Sequence, residues 1–239
     1  MENLGKLLNE NKVYKILEIL LVFGVAGLVI WLFLGPKEQM IRNQLVVWVA
    51  NILMLLTIFI GARLRGESWD HFGLDIKETD FRELLKSFLW SLLVLVLAMT
   101  GFILGSIIMA NITGIPEQAD MSNYEFLKGN PGILILSLLG VYIASSFGEE
   151  VIYRGFLINR FTGLRLNGKW GRVITLLLSS LIFGFVHYSW GPMGIVQTFF
   201  MGLALGICYL WLKKRLWILV FAHAVMDTVL LVQIYMVAN

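Results

Sequence analysis

The chain has 239 residues, of which 58% are hydrophobic and only 15% are charged, and its formal net charge is +3. The apolar residues fall in runs much longer than a water-soluble core needs, so a soluble globular fold is excluded. A charge of +3 alone gives no support to nucleic-acid binding, and we predict no such partner.

Seven apolar stretches are long enough to cross a bilayer, because a spanning helix takes about 20 apolar residues. They lie at roughly 16–35, 44–62, 84–110, 132–153, 173–190, 192–212 and 216–237. We therefore predict an all-α polytopic membrane protein, a bundle of about seven transmembrane helices. Residues 1–131 would carry the first three helices and their loops, and residues 132–239 would form a core of helices four to seven.

The distribution of lysine and arginine predicts the orientation in the membrane, because cytoplasmic loops are enriched in both. With the N-terminus in the cytoplasm, 16 of the 19 basic residues lie on the cytoplasmic side. Short loops between the helices favour a bacterial source, and hence an integral protein of the bacterial cell membrane.

Three loops have simple interpretations. Residues 63–86 are predicted to form an amphipathic segment at the interface, and residues 111–131 a solvated connector with Pro131 at the start of the next helix. The basic loop 154–172 is explained by anionic membrane lipid at the cytoplasmic face.

The fourth apolar run ends in two acids, Glu149 and Glu150, followed by Arg154. At 3.6 residues per turn, Glu149 shares a helix face with Tyr153, while Glu150 and Arg154 share a neighbouring face. Arg154 is then predicted to neutralise Glu150, which leaves Glu149 free to act as a base. The alternative is that both acids simply sit beside interfacial water at the helix end.

Histidines occur in two later runs, His187 near the end of the fifth and His223 inside the seventh, four residues before Asp227. A charged side chain near the bilayer centre costs about 2.5–3.5 kcal/mol, so such groups usually pair or line a cavity. There are two structural alternatives. His187 would be a hydrogen-bonded residue at the membrane interface, and His223 and Asp227 would be hydrogen-bonded only to each other. We favour one shared site.

These side chains supply what hydrolysis needs: a carboxylate to take a proton from water, imidazoles to bind a metal or stabilise an oxyanion, and an orienting acid. A serine mechanism fits poorly, because the sequence has no Gly-x-Ser-x-Gly elbow. Ser145, Ser146, Ser179 and Ser180 are instead predicted to be small packing residues, and Gln197 to be a supporting polar group near the site.

Three motifs resemble the signature of a known family. EEVIYRG at 149–155, FGFVH at 183–187 and HAVMD at 223–227 follow one another on consecutive apolar runs. They resemble the CPBP family, the Abi or CAAX-protease-like intramembrane endopeptidases. The resemblance covers about residues 130–239, and the first three spans match only in being hydrophobic.

The resemblance implies a role for each matching residue in the first two motifs. Glu149 would activate water, with Glu150 and Arg154 as its neighbours, and His187 would share the water or a metal with Glu149.

In the third motif, His223 and the residue four positions on would stabilise the developing oxyanion. That last position varies between Asn and Asp in the family, and here it is Asp227. An ionised Asp cannot donate a hydrogen bond, so Asp227 is better suited to orient His223 or to bind a cation.

A metal is left open by the sequence, and no organic cofactor is predicted. Glu149, His187, His223 and Asp227 would satisfy a catalytic zinc that keeps one open position. The same residues could also activate water without a metal.

The predicted function is therefore an endopeptidase acting on membrane-associated or lipid-anchored peptides and proteins. A non-catalytic immunity protein of the bacteriocin type, or a membrane regulator or scaffold, is the main alternative. A proton-coupled carrier is a third, although the chain shows no internal repeat or matching pair of broken helices.

Overall fold

The computed structural model describes residues 2–75, 80–114, 122–164, 166 and 168–238, and these ranges are built from helices and turns. The α-helices are α1 (Glu2–Glu10), α2 (Lys12–Phe33), α3 (Met40–Arg65), α4 (Phe81–Thr113), α5 (Pro131–Val141), α6 (Asn159–Gly163), α7 (Lys169–Val186), α8 (Gly191–Trp211) and α9 (Leu216–Ala238). Short 3₁₀ turns cover Trp69–Phe72, Ser122–Leu127 and Tyr188–Trp190, and π-helical stretches cover Tyr142–Phe147 and Glu150–Ile158.

Within these ranges, seven helices are long and apolar enough to cross a membrane. They are Lys12–Phe33, Met40–Arg65, Phe81–Thr113, Pro131–Gly163, Lys169–Val186, Tyr188–Trp211 and Leu216–Val237. The predicted all-α, seven-span membrane protein is therefore confirmed, and the structure extends several of the predicted spans at their ends.

Capping side chains set where three of these helices begin. Asn11, Asp80 and Asn130 each accept a hydrogen bond from a backbone N–H in the first turn of α2, α4 and α5. Pro131 occupies the first turn of α5, where its missing N–H costs nothing. Its prediction as a helix start is confirmed.

The backbone packs as two compact units that are interleaved along the chain. The first comprises Met1–Gly66, Gln118–Ile152 and His223–Asn239, and the second comprises Glu67–Glu117 and Tyr153–Ala222. The boundary predicted at residues 131/132 follows the sequence motifs rather than backbone packing, and it stays a prediction.

In the first unit, the segment before α5 is packed rather than solvated. Leu127 is fully buried and contacts Leu231 and Ile234 of α9. The prediction of a solvated connector at 111–131 is thus wrong for its described C-terminal part, because Leu127 closes an apolar cluster against α9. Residues 115–121 lie outside the described residues.

In the second unit, α8 packs between α4 and α7. Gly105 of α4 lies against the backbone of α8 at Gln197, and Gly184 of α7 lies against the α8 carbonyl of Ile195. Small residues allow this close approach between helices. Gln197 donates a hydrogen bond to Ser106 Oγ at 2.8 Å, so its described role is to join α8 to α4.

Within the second unit, residues 71–74 are held in place through their four successive backbone carbonyls. The groups that donate to them are, in order, Asn159 Nδ2, Tyr209 O–H, Leu216 N–H and Trp217 Nε1. Gly73 has a φ of +80°, and a Cβ there would lie 1.5 Å from the carbonyl oxygen of Lys214. Only glycine fits this position.

The described residues of the predicted amphipathic interfacial segment 63–86 fall into several elements, and its place at the membrane interface stays a prediction. They form the end of α3, the 3₁₀ turn and the start of α4, while Phe72 and Leu74 are buried. Residues 76–79 lie outside the described residues.

Candidate active site

The helix that carries the first motif is π-helical on both sides of Gly148 and Glu149. The π-helical stretches are Tyr142–Phe147 and Glu150–Ile158. A π-helix closes i→i+5 hydrogen bonds, so its turn is wider than that of an α-helix. The predicted sharing of faces at 3.6 residues per turn is therefore wrong for this segment. Such stretches are rare and often lie at functional sites.

Two polar contacts hold the first π-helical stretch within the first unit. Asn51 of α3 donates from Nδ2 to the carbonyl oxygen of Ala144 at 3.0 Å. The hydroxyls of Tyr142 and Thr228 are hydrogen-bonded at 2.7 Å, which joins the stretch to α9. Both contacts satisfy polar groups that lipid could not satisfy.

The closest contact between motif residues joins Glu150 to His223. Glu150 Oε1 lies 2.8 Å from His223 Nδ1, with side-chain exposures of 0% and 4%. An ionised carboxylate only accepts, so the imidazole donates from Nδ1 and its Nε2 faces the other way. The acid in hydrogen-bond contact with His223 is thus Glu150, whereas the sequence favoured Asp227 for that place.

Two further acids lie near the opposite edge of the imidazole, on the side of Nε2. His223 Nε2 lies 3.9 Å from Glu149 Oε2 and 3.9 Å from Asp227 Oδ1, which is too long for a direct hydrogen bond. Asp227 Oδ2 accepts a hydrogen bond of 2.7 Å from the Ser146 hydroxyl. Ser146 was expected to be a packing residue, but it supports an acid of the site.

Exposure separates the four groups into an inner pair and an outer pair. Glu150 and His223 are sealed, whereas the Glu149 and Asp227 side chains are 12% and 16% exposed. Glu149 Oε2 has no hydrogen-bond partner among the described residues. This oxygen is itself buried, so the exposed part of the Glu149 side chain lies elsewhere on it.

Arg154 belongs to the second unit, where it is 1% exposed. Its Nη2 donates to the carbonyl oxygen of Gly202 at 3.4 Å, and its Cζ lies 4.3 Å from the centre of the Phe183 ring. A Cβ on Gly202 would lie 2.8 Å from Phe183, so glycine keeps room for this stack. The guanidinium is stabilised by a cation–π contact out of water.

His187 also belongs to the second unit, at the C-terminal end of α7. Its Nδ1 lies 2.7 Å from the carbonyl oxygen of Phe183, to which it donates, so Nε2 is its free nitrogen. The imidazole packs edge-on against the rings of Phe183 and Trp190, at centroid distances of 4.9 and 5.1 Å.

The structure thus gathers Glu149, Glu150, His223 and Asp227 in the first unit. It places Arg154 and His187 in the second unit, where Phe183 contacts both. The predicted pairing of Glu150 with Arg154, and the sharing of water by Glu149 and His187, stay predictions. Phe183 was not singled out from sequence, although its place in FGFVH, four residues before His187, is a signal.

Carboxylate and imidazole donors are the kinds that zinc binds. Among the described residues, however, no group of three or more His, Cys, Asp or Glu side chains is placed to hold a metal ion. The carboxylate oxygens of Glu149 and Asp227 each lie 3.9 Å from His223 Nε2. In this arrangement the donor types suit zinc, but their placement does not.

The fold and the site together define a polytopic helical membrane protein with an acid and histidine centre inside its spans. Residues 131–229 match the family model described as type II CAAX prenyl endopeptidase Rce1-like. This segment is therefore similar to the CAAX-protease-like (CPBP) family, which at family level consists of intramembrane proteases. The matched segment contains all six predicted site residues. No curated protein and no solved structure matches the chain.

Proposed function

We propose that this protein hydrolyses a peptide bond in membrane-associated substrates, of which prenylated proteins are the class named by the matching family. The observation that carries the proposal is the buried Glu149 Oε2, which has no hydrogen-bond partner among the described residues and lies 3.9 Å from the imidazole held by Glu150. A carboxylate with an unused acceptor oxygen, next to a fixed imidazole, is the minimum that water activation requires.

In the proposed reaction, Glu149 takes a proton from a water molecule as the water oxygen attacks the scissile carbonyl carbon. The carbonyl π electrons move to its oxygen and form an oxyanion. Collapse of this intermediate breaks the C–N bond, and Glu149 returns the proton to the leaving amine. One carboxylate thus acts first as a base and then as an acid.

His223 is proposed to stabilise the oxyanion. With Nδ1 held by Glu150, a protonated imidazole can donate from Nε2, the nitrogen that faces Glu149 and Asp227. Asp227 accepts from Ser146 and, when ionised, cannot donate. We therefore assign Asp227 to favouring the charged form of His223, rather than to binding the oxyanion.

Arg154 and His187 enter the proposal through the motifs they occupy. The second motif is the ground for proposing that His187 contacts the attacking water, and Nε2 would be the nitrogen that does so because Nδ1 donates to the Phe183 carbonyl. Arg154 belongs to the first motif itself and is proposed to supply its positive charge, with its guanidinium stacked on Phe183. Glu149 and the imidazoles carry the steps above without a metal.

The substrate class is tested with two peptides of identical sequence ending in a CAAX motif, one farnesylated and one not. With the protein in lipid nanodiscs, we expect kcat/KM for the farnesylated peptide to be at least about tenfold higher, because each lipid CH₂ buried contributes about 0.8 kcal/mol. Mass spectrometry of the products gives both the rate and the cleaved bond.

Equal rates for the two peptides would contradict a lipid-anchored substrate. No cleavage of either peptide would favour the immunity or regulatory alternative. The metal content of the same sample is measured alongside. Near-stoichiometric zinc, together with cleavage lost on chelation, would replace water activation by Glu149 alone with a metal-assisted step.

The orientation is a further part of the proposal, with the N-terminus in the cytoplasm. The observation behind it is the placement of 16 of the 19 basic residues on one side of a seven-span chain. A cysteine placed at residue 2 should resist a membrane-impermeant thiol reagent in intact cells, whereas one placed at residue 128 should react. The opposite labelling pattern would reverse the orientation.

A further inference from the structure

Helix α3 (Met40–Arg65) lies outside the matched segment 131–229, yet it carries the polar side chain Asn51 in the middle of a membrane span. Polar side chains in spans are costly and usually face protein rather than lipid. Asn51 is only partly exposed and donates to the carbonyl oxygen of Ala144, inside the π-helical stretch that precedes Glu149.

Asn51 lies within a row of three contacts between α3 and the continuous helix Pro131–Gly163, which carries the first motif and is called the motif helix below. Trp48 and Leu55, three residues before it and four after it, share its face of α3. A Cβ on Gly140 would lie 2.2 Å from the Trp48 ring, and a Cβ on Gly148 would lie 3.4 Å from Leu55 Cδ1. The residues that meet this face of α3 are Gly140, Ala144 and Gly148, which are spaced four residues apart along the chain.

This row fixes the register of the motif helix against α3. Small residues at four-residue spacing permit close approach, but apolar packing alone allows a helix to slide or rotate. A hydrogen bond from a side chain to one particular carbonyl does not, because any shift breaks it. The row ends at Gly148, directly before Glu149 and Glu150.

We propose that Asn51 is a positioning residue for Glu149 and Glu150, acting through the Ala144 carbonyl. The inference rests on the proposed function and extends the catalytic machinery into a helix outside the matched segment. Loss of the bond should let the π-helical stretch relax, which moves both carboxylates relative to His223.

The test compares Asn51→Leu, which keeps the branched shape of the side chain but removes the donor, with Thr57→Ala as a matched control. Thr57 also lies on α3, and its hydroxyl donates to the Leu53 carbonyl of its own helix at 2.8 Å. We expect Asn51→Leu to lower kcat about tenfold with KM changed less than twofold, and Thr57→Ala to match the wild type.

A second measurement does not depend on activity. Hydrogen–deuterium exchange of peptides covering residues 140–150 should be faster in Asn51→Leu than in the wild type and in Thr57→Ala, at equal amounts of folded protein. Unchanged exchange in this segment would overturn the inference, whether or not cleavage is detected. Unchanged kcat in Asn51→Leu would overturn it too, provided that Glu149→Gln has lost activity. If Glu149→Gln cleaves like the wild type, the proposed function fails instead, and the exchange result alone decides the role of Asn51.

Discussion

Replacing Glu149 by glutamine is expected to lower kcat by a factor of about 10²–10⁴, the usual contribution of a positioned general base. Glutamine keeps the shape of the side chain but cannot take a proton from water. KM should change little, because the substitution removes no lipid-binding surface. The rate of cleavage of the farnesylated peptide, per mole of folded protein, measures the effect.

Glu83→Gln is the matched control for loss of one negative charge. Glu83 lies at the start of α4, where its side chain is 43% exposed and pairs with Lys86. Its variant should cleave at the wild-type rate, since exposed ion pairs contribute little. A Glu149→Gln protein as active as the Glu83→Gln protein would remove Glu149 from the mechanism.

Replacing Glu150 by alanine is expected to cost about 3–5 kcal/mol of folding stability, because it leaves His223 buried without its acceptor. Cleavage should be lost as well, since the imidazole loses the contact that fixes its orientation. Glu150→Gln should be milder in both respects, because the amide oxygen can still accept from Nδ1. Thermal unfolding in detergent and peptide cleavage measure the two effects separately.

The comparison with Glu83→Ala separates a buried partner from an exposed one. That substitution removes a surface pair and should change stability by less than about 1 kcal/mol. If Glu150→Ala unfolds at the same temperature as the wild type, the bond between Glu150 and His223 makes no net contribution. The inner pair would then be unnecessary to the fold.

The sequence was sufficient for the parts of the fold that depend on composition. Long apolar runs have few outcomes other than spanning helices, so the seven spans could be predicted with small errors at the ends. Charged groups inside such runs also stand out, because burial without partners is costly. Glu149, Glu150, His223 and Asp227 do lie together in the first unit for that reason.

The hydrogen-bond partners within the site could not be predicted, because they depend on a helix geometry that the residue pattern does not indicate. The i,i+4 rule assumes 3.6 residues per turn, and the π-helical stretches break that assumption around Glu149. It also favours Asp227 as the partner of His223, whereas the tertiary fold brings Glu150 closer. The roles of Ser146 and Asn51 were missed because the sequence does not distinguish a small polar residue that only packs from one that makes a hydrogen bond.

The fastening of the 71–74 carbonyls limits how far this protein could be shortened. A fragment cut back to residues 131–229 would keep Asn159, Tyr209, Leu216 and Trp217 but lose these four carbonyls. Tyr209 and Leu216 are fully buried, and each buried donor left unsatisfied costs about 1–3 kcal/mol, which is a large share of the stability of a typical domain. A minimal fragment would therefore have to retain residues 71–74, or receive a designed replacement for them, however well the motifs themselves were preserved.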